Sequence, residues 1–231
     1  KIVMIPAIIH YIWLGKSEIP KIYLDCMESW KEHAVNYDCY LWNEDSYRKE
    51  FGQNDFVEEM IQRKKFAFAA DLIRCDVLYR FGGIYLDTDM ELVRDISALR
   101  KNIAFIGEED IDTPSCGILG CEPKFWLFQE LKAAVIKANG MQTIPFLLKN
   151  ILDLHGVKKI DSQDISTIKD ITIYSDKYFY PYNPYGSAKR SQLLYRYITK
   201  DCYAIHHWAK SWKLSFLERI KRKIIMRYRK E

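Results

Sequence analysis

Two aspartates stand two residues apart, Asp87 and Asp89, at the end of the short apolar run Ile84-Tyr85-Leu86. On a continuing strand their side chains would share a face; with a turn between them they would converge on one point. Carboxylate oxygens paired in this way suit Mg2+ or Mn2+, ions that keep positions open for water and phosphate oxygens. A bare Asp-x-Asp also arises as two solvated acids in a loop, so its surroundings decide what it means. Asp71 and Arg74 lie three residues apart on the preceding helical stretch and therefore share a face. Gly82-Gly83 closes that helix and returns the chain directly into the run that carries the acids. An acid and a guanidinium would then face the metal side, suited to hydroxyl groups and to diphosphate charge. Taken alone, the same two residues make a surface ion pair worth less than about 1 kcal/mol.

The elements that must position these groups alternate. Residues 7–13 form a β-branched and aromatic run that Gly15 stops, the pattern of a buried strand. Pro20 opens a helical pattern with Ile22, Cys26, Met27 and Trp30 on one face. Residues 37–42 read as a second strand, with Asn43-Glu44-Asp45 as a turn and helix cap. Helices follow over 56–62 and 66–81, then strands over 84–87 and 103–106. Pro123 suits the first turn of a helix that runs to Gly140, and another helix covers 144–155. Short strands at 171–174 and 203–207 alternate with Tyr/Pro-rich loops. Strands alternating with helices predict an α/β domain, its mostly parallel central sheet flanked by helices on both faces. Such sheets bind ligands at the C-terminal ends of their strands, where the acids lie.

Composition narrows the function classes. With 48% hydrophobic and 29% charged residues over 231 positions, the chain is a folded globular protein and not a disordered one. The longest uncharged stretch, residues 2–15, is 14 residues. That is shorter than the roughly 20 a membrane-spanning helix needs. It also lacks a small-x-small cleavage pattern. Six cysteines without a CxxC pair fit reduced thiols in the cytoplasm. The net charge of +4 is uneven: residues 213–231 hold eight Lys/Arg against two Glu, a balance of +6 that leaves −2 on the rest. The chain thus divides into a body, 1–212, and a basic tail, 213–231. In the tail, Leu217, Ile220, Ile224 and Tyr228 fall on one helical stripe, with Arg219, Arg222, Lys223, Arg229 and Lys230 opposite. A helix of this kind can lie on an anionic membrane, or it can dock on the body with its basic face solvated. Because the basic residues are confined to one terminal stretch and no RNA-binding signature accompanies them, no nucleic-acid partner is expected.

Four blocks, in order, carry a resemblance. They are Ile8-Ile9-His10-Tyr11-Ile12-Trp13-Leu14-Gly15, Ala70-Asp71-Leu72-Ile73-Arg74, Gly82-Gly83-Ile84-Tyr85-Leu86-Asp87-Thr88-Asp89, and His206-His207-Trp208-Ala209-Lys210-Ser211-Trp212. Together they resemble glycosyltransferase family 32, the DXD sugar transferases of bacterial capsule and surface-polysaccharide synthesis and of the yeast Golgi. The same core is similar to a reduced glucosyltransferase domain of the large clostridial toxins. The resemblance implies a GT-A-type nucleotide-sugar-binding fold, a Mn2+ or Mg2+ ion and a UDP-linked sugar donor. It also implies a glycan acceptor, lipid-linked and at the inner membrane face, and transfer with retention. In this light Asp89 would ligate the metal directly, and Asp87 would contact ribose or sugar and help through water. Asp71 and Arg74 would hold the donor sugar, with Arg74 also neutralising the leaving diphosphate, and Tyr85 would line the same pocket. Trp13 would stack on the nucleobase. Ser211, Trp212 and one of His206 and His207 would close over the diphosphate, with His207 as the candidate third ligand. The run Glu108, Glu109, Asp110 and Asp112 could supply a base for inversion, although a solvated loop accounts for it more simply. A metal-dependent phosphohydrolase also uses Asp-x-Asp, but it needs a nucleophilic Asp and further acids that the sequence does not place.

Overall fold

β-Branched and aromatic residues build β1 (Ile8–Ile12), which lies between two parallel neighbours, β2 (Asp38–Trp42) and β3 (Gly83–Leu86). The computed structural model describes residues 4–188, 190 and 192–209. Ser211, Trp212 and the tail 213–231 lie outside the described residues. Between β1 and β3 come α1 (Lys21–His33), α2 (Glu44–Phe51), α3 (Asp55–Gln62) and α4 (Phe66–Phe81). After β3 the chain forms β4 (Met90–Leu92), β5 (Ala104–Asp110), β6 (Thr113–Cys121), α5 (Trp126–Ala138) and α6 (Ile144–Leu154). It ends in β7 (Ile165–Ile168), β8 (Ile171–Tyr174), α7 (Asp176–Phe179) and β9 (Ala204–His206).

The α/β class and the flanking helices agree with the sequence, but the sheet is mixed where a mostly parallel one was expected. Its order is β2-β1-β3-β6-β5-β8-β7. Beyond the parallel pairs at β1, β5 runs parallel to β8, whereas β3–β6, β5–β6 and β7–β8 are antiparallel. The cause is β6. Its sequence, TPSCGILGC, carries little β-propensity, yet it turns back from β5 through Asp112 at φ 53° and inserts beside β3. Both β3 and β5 run opposite to β6, so they point the same way and their C-terminal ends meet one edge of the sheet. A separate antiparallel pair, β4–β9, stands over that edge.

Two hydrophobic layers cover the sheet. Side chains alternate along β3, so Ile84 and Leu86 enter the layer with α1, β4 and β9, while Tyr85 enters the layer with α4, α5 and α6. Helix α4 has no Gly or Pro, and ten of its sixteen residues are buried. Gly82 (φ 63°) and Gly83 (φ 96°) end it as expected. A Cβ on Gly82 would lie 2.7 Å from the Cys121 carbonyl oxygen, and one on Gly83 2.8 Å from that of Ile8, so both conformation and space require glycine. Pro123 does not start a helix; it packs on Gly82, ahead of the α5 cap Phe125. Asn43 caps α2 as expected, accepting from the Asp45 and Ser46 amides, and Ser46 answers in a capping box. The buried stripe of α1 is Tyr23, Cys26 and Trp30, with Ile22 turned to solvent. Among the described residues no helix is long and apolar enough to cross a membrane, and the six cysteines are free thiols.

Candidate active site

A turn at residues 87–90 brings the two aspartates together. The Asp87 amide donates to the Gly117 carbonyl at 2.8 Å, and the Met90 amide donates back to the Asp87 carbonyl at 3.0 Å. Asp87 keeps the sheet face of Tyr85, and Asp89 comes round to the β9 side.

Asp87 is held from below. The Tyr85 hydroxyl donates to its Oδ1 at 2.8 Å, and Arg74 Nη2 donates to the same oxygen at 3.1 Å. Arg74 also donates from Nη1 to the Cys116 carbonyl at 2.7 Å, lies 3.7 Å from Asp71 and stacks 4.2 Å above the Tyr85 ring. Arg74 is 6% exposed and Tyr85 2%. Both stand beneath Asp87 and hold its carboxylate. Burial raises the Asp87 carboxyl above its ordinary range against the pull of Arg74. Burial likewise pushes Asp71 up to about 7, with Arg74 opposing. The guanidinium stays charged: burial works against it, but Tyr85, Asp87 and Asp71 outweigh that cost.

Asp89 is held from the other layer. Its Oδ2 accepts the Ala209 amide at 2.9 Å, and its Oδ1 lies 3.2 Å from His206 Nε2. Burial would raise its pKa, but His206 and the Ala209 amide outweigh burial and lower it. Burial would lower His206, and the bond to Asp89 outweighs that and raises it. His207, the histidine expected here, points away: its Nε2 meets Glu91 Oε2 at 2.7 Å. Neighbours on an extended segment face opposite sides, so one of the two histidines reaches the aspartates, and it is His206.

Trp13 follows β1 and is half-buried, its indole donating to the Ser17 carbonyl at 2.8 Å. Its ring lies 5.2 Å from that of Tyr23, whose hydroxyl reaches the Ala209 carbonyl at 3.4 Å. Tyr23 thus joins the Trp13 side to the loop over Asp89. Sequence reasoning missed it because it begins the apolar face of α1 at Ile22, although Cys26 and Trp30 lie on that face as expected. It also missed Gly117 and Tyr180: a Cβ at 117 would sit 3.1 Å from the Tyr180 hydroxyl and 3.5 Å from Asp87 Oδ2. No pattern in β6 announces that glycine. The acidic run is not a solvated loop, since Glu108, Glu109 and Asp110 belong to β5. Glu108 is 6% exposed, burial pushes it up to about 7, and Lys159 lies 3.7 Å away.

Among the described residues, Asp87, Asp89 and His206 can bring one ligand atom each within 4.8 Å of one another. Two carboxylates and an imidazole form a donor set that fits a divalent cation. Comparison with known proteins bears on this cluster. Residues 20–106 match the family described as a glycosyltransferase sugar-binding region containing a DXD motif. An inositol phosphoceramide mannosyltransferase of Schizosaccharomyces pombe is 30% identical over 119 residues, covering 50% of this chain and 33% of that protein. The chain therefore spans about a third of that relative's length. A glycosyltransferase of Acanthamoeba polyphaga mimivirus is 26% identical over 232 residues, 90% of this chain and 84% of the viral protein. Among solved structures, the PaToxG glycosyltransferase superposes with a TM-score of 0.56 at 15% identity, covering 66% of this chain and 69% of that one. GlyE of Streptococcus pneumoniae superposes with a TM-score of 0.51 at 14% identity, over 97% of this chain and 63% of its own. The fold is the GT-A type.

Proposed function

We propose that this protein is a metal-dependent glycosyltransferase that moves a sugar from a UDP-linked donor to a glycan acceptor, with retention. The observation that carries this reading is the Asp87–Asp89–His206 cluster at the edge of a GT-A sheet. Asp87, Asp89 and His206 would hold the cation, and the softer imidazole favours Mn2+ over Mg2+. A bound cation supplies neutralisation of the charge that grows on the leaving nucleoside diphosphate. Asp71, buried at the α4 face toward the pair, would accept donor hydroxyls. Arg74 and Tyr85 act through Asp87, fixing the rotamer that presents its carboxylate. Trp13, backed by Tyr23, would stack on the nucleobase.

The acceptor reading is a lipid-linked oligosaccharide in capsule or surface-polysaccharide synthesis, with the basic tail holding the enzyme to the inner membrane face. The mannosyltransferase name of one relative makes a mannosyl donor the first departure from UDP-sugars to test. Incubating the protein with UDP- and GDP-sugars in Mn2+ and measuring nucleoside diphosphate release tests the reading. Release from one donor is expected; none from any donor would refute it.

A further inference from the structure

We propose that Tyr185 and Trp208 form the acceptor subsite, an aromatic platform for the apolar face of a pyranose ring; this rests on reading the site as a sugar transferase. Strand order supplies the placement. Trp13 lies at the end of β1, the aspartate pair follows β3, and the C-terminal end of β5 lies beyond β6 on the far side. The loop carrying Tyr185 is clamped to that far side. Asn183 Nδ2 donates to the Glu109 carbonyl at 3.0 Å, and the Ser187 amide and hydroxyl donate to the Asp110 carboxylate at 2.6 and 2.7 Å. The Tyr185 amide in turn donates to Asn183 Oδ1 at 2.9 Å, so its ring is presented from a fixed backbone.

A continuous set of rings runs from there to the aspartates. Tyr185 lies edge-on to Trp208, 5.8 Å between centroids, and the indole lies 4.2 Å from the His206 ring. His206 contacts Asp89. Trp208 holds a backbone φ of 56°, a conformation that bulky residues rarely adopt. The half-buried indole packs on Tyr180 and His206 and its nitrogen is spent on the Tyr182 carbonyl at 2.7 Å, so what it leaves at the surface beside Tyr185 is ring and not a donor. Tyr185 is 62% exposed. Rigid rings fixed before binding lose little conformational freedom when a ligand covers them. Pyranoses present a C–H face to such surfaces. The donor half of the site has its own stacking pair in Trp13 and Tyr23, which leaves this platform to the second substrate.

Saturation-transfer NMR on the full chain with Mg2+ and UDP, using methyl α-mannopyranoside and methyl β-galactopyranoside as probes, tests the assignment. Saturation should reach the C–H-face protons of at least one probe. Tyr185→Ala should cut it by about fivefold or more, and Tyr185→Phe, which keeps the ring, should hold it within about twofold, as a stacking contact requires. UDP affinity by calorimetry should move less than about twofold in both variants. No saturation of either probe, saturation unchanged in Tyr185→Ala, or UDP affinity falling with it would overturn the proposal. These readouts need no turnover, so a failed subsite and a failed transferase reading give different results.

Discussion

Asp89 and Asp87 differ in what holds them, and single substitutions should separate their roles. Asp89→Asn removes one charge without changing shape, so it should abolish turnover while circular dichroism retains the native spectrum; Asp87→Asn should do the same. Near-normal turnover in either variant would show that the cluster is not the site. Arg74 tests the support beneath Asp87. Arg74→Ala leaves Asp71 and Asp87 facing each other without a counter-charge, and breaking a buried pair in this way costs about 3–5 kcal/mol. Arg74→Lys keeps the charge but cannot serve the Cys116 carbonyl, Tyr85 and Asp87 at once with one ammonium group. It should lower kcat more than about tenfold, with a smaller loss of stability than Arg74→Ala in denaturant unfolding. An Arg74→Lys enzyme with wild-type kcat would place Arg74 outside the chemistry.

At the level of elements, the aspartate pair is assembled from two layers: α4 holds Asp87, and the β4–β9 pair with its following loop holds Asp89. His10 fixes the return from α4 into β3. It accepts from the Trp42 indole at 3.0 Å through Nδ1 and meets the Gly82 carbonyl at 2.8 Å through Nε2, so the ring carries its proton on Nε2. Burial lowers its pKa to about 4 from the usual 6.5, against the bond to Gly82. Between those values the unfolded chain binds the proton that the folded chain refuses. Stability from neutral His10 is therefore complete above pH 6.5 and is lost as pH falls toward 4, by up to about 3 kcal/mol. Asp71 and Glu108, with raised pKa values, act in the opposite sense. His10→Gln keeps one donor and one acceptor but does not titrate, so the wild-type-minus-variant difference in melting temperature should shrink as pH drops from 6.5 toward 4. A flat difference would show that His10 is not held neutral. Much of this arrangement was legible in the sequence. The Asp-x-Asp turn, the Gly82-Gly83 return and the long buried helix before it are local signals, and each appears where expected. What escaped is decided by distant contacts. Strand β6 is stabilised by neighbours on both sides and not by its own composition. The choice of His206 over His207 depends on the facing of a three-residue strand. The acids of β5 read as loop because their burial comes from elements far along the chain.

The whole molecule combines a body that carries the site with a strongly basic tail outside the described residues. Each basic residue near an anionic surface contributes roughly 1 kcal/mol, and an apolar stripe adds to it. Removing residues 213–231 should release the protein from anionic vesicles and leave nucleotide binding intact. Binding by the intact chain should fade with salt, because screening shortens its reach to about 8 Å at physiological ionic strength. Equal, negligible co-sedimentation of the intact chain with anionic and neutral vesicles would end the membrane reading. In the proposed reaction, Asp87, Asp89 and His206 hold a cation needed to release the nucleoside diphosphate. The most direct measurement is nucleoside diphosphate release from the best donor, with Mn2+ and with EDTA, by the wild-type protein and by Asp89→Asn. Release by the wild type in Mn2+ alone, restored when Mn2+ is returned after EDTA and absent in Asp89→Asn, is the expected result; release that persists in EDTA or in Asp89→Asn would contradict it.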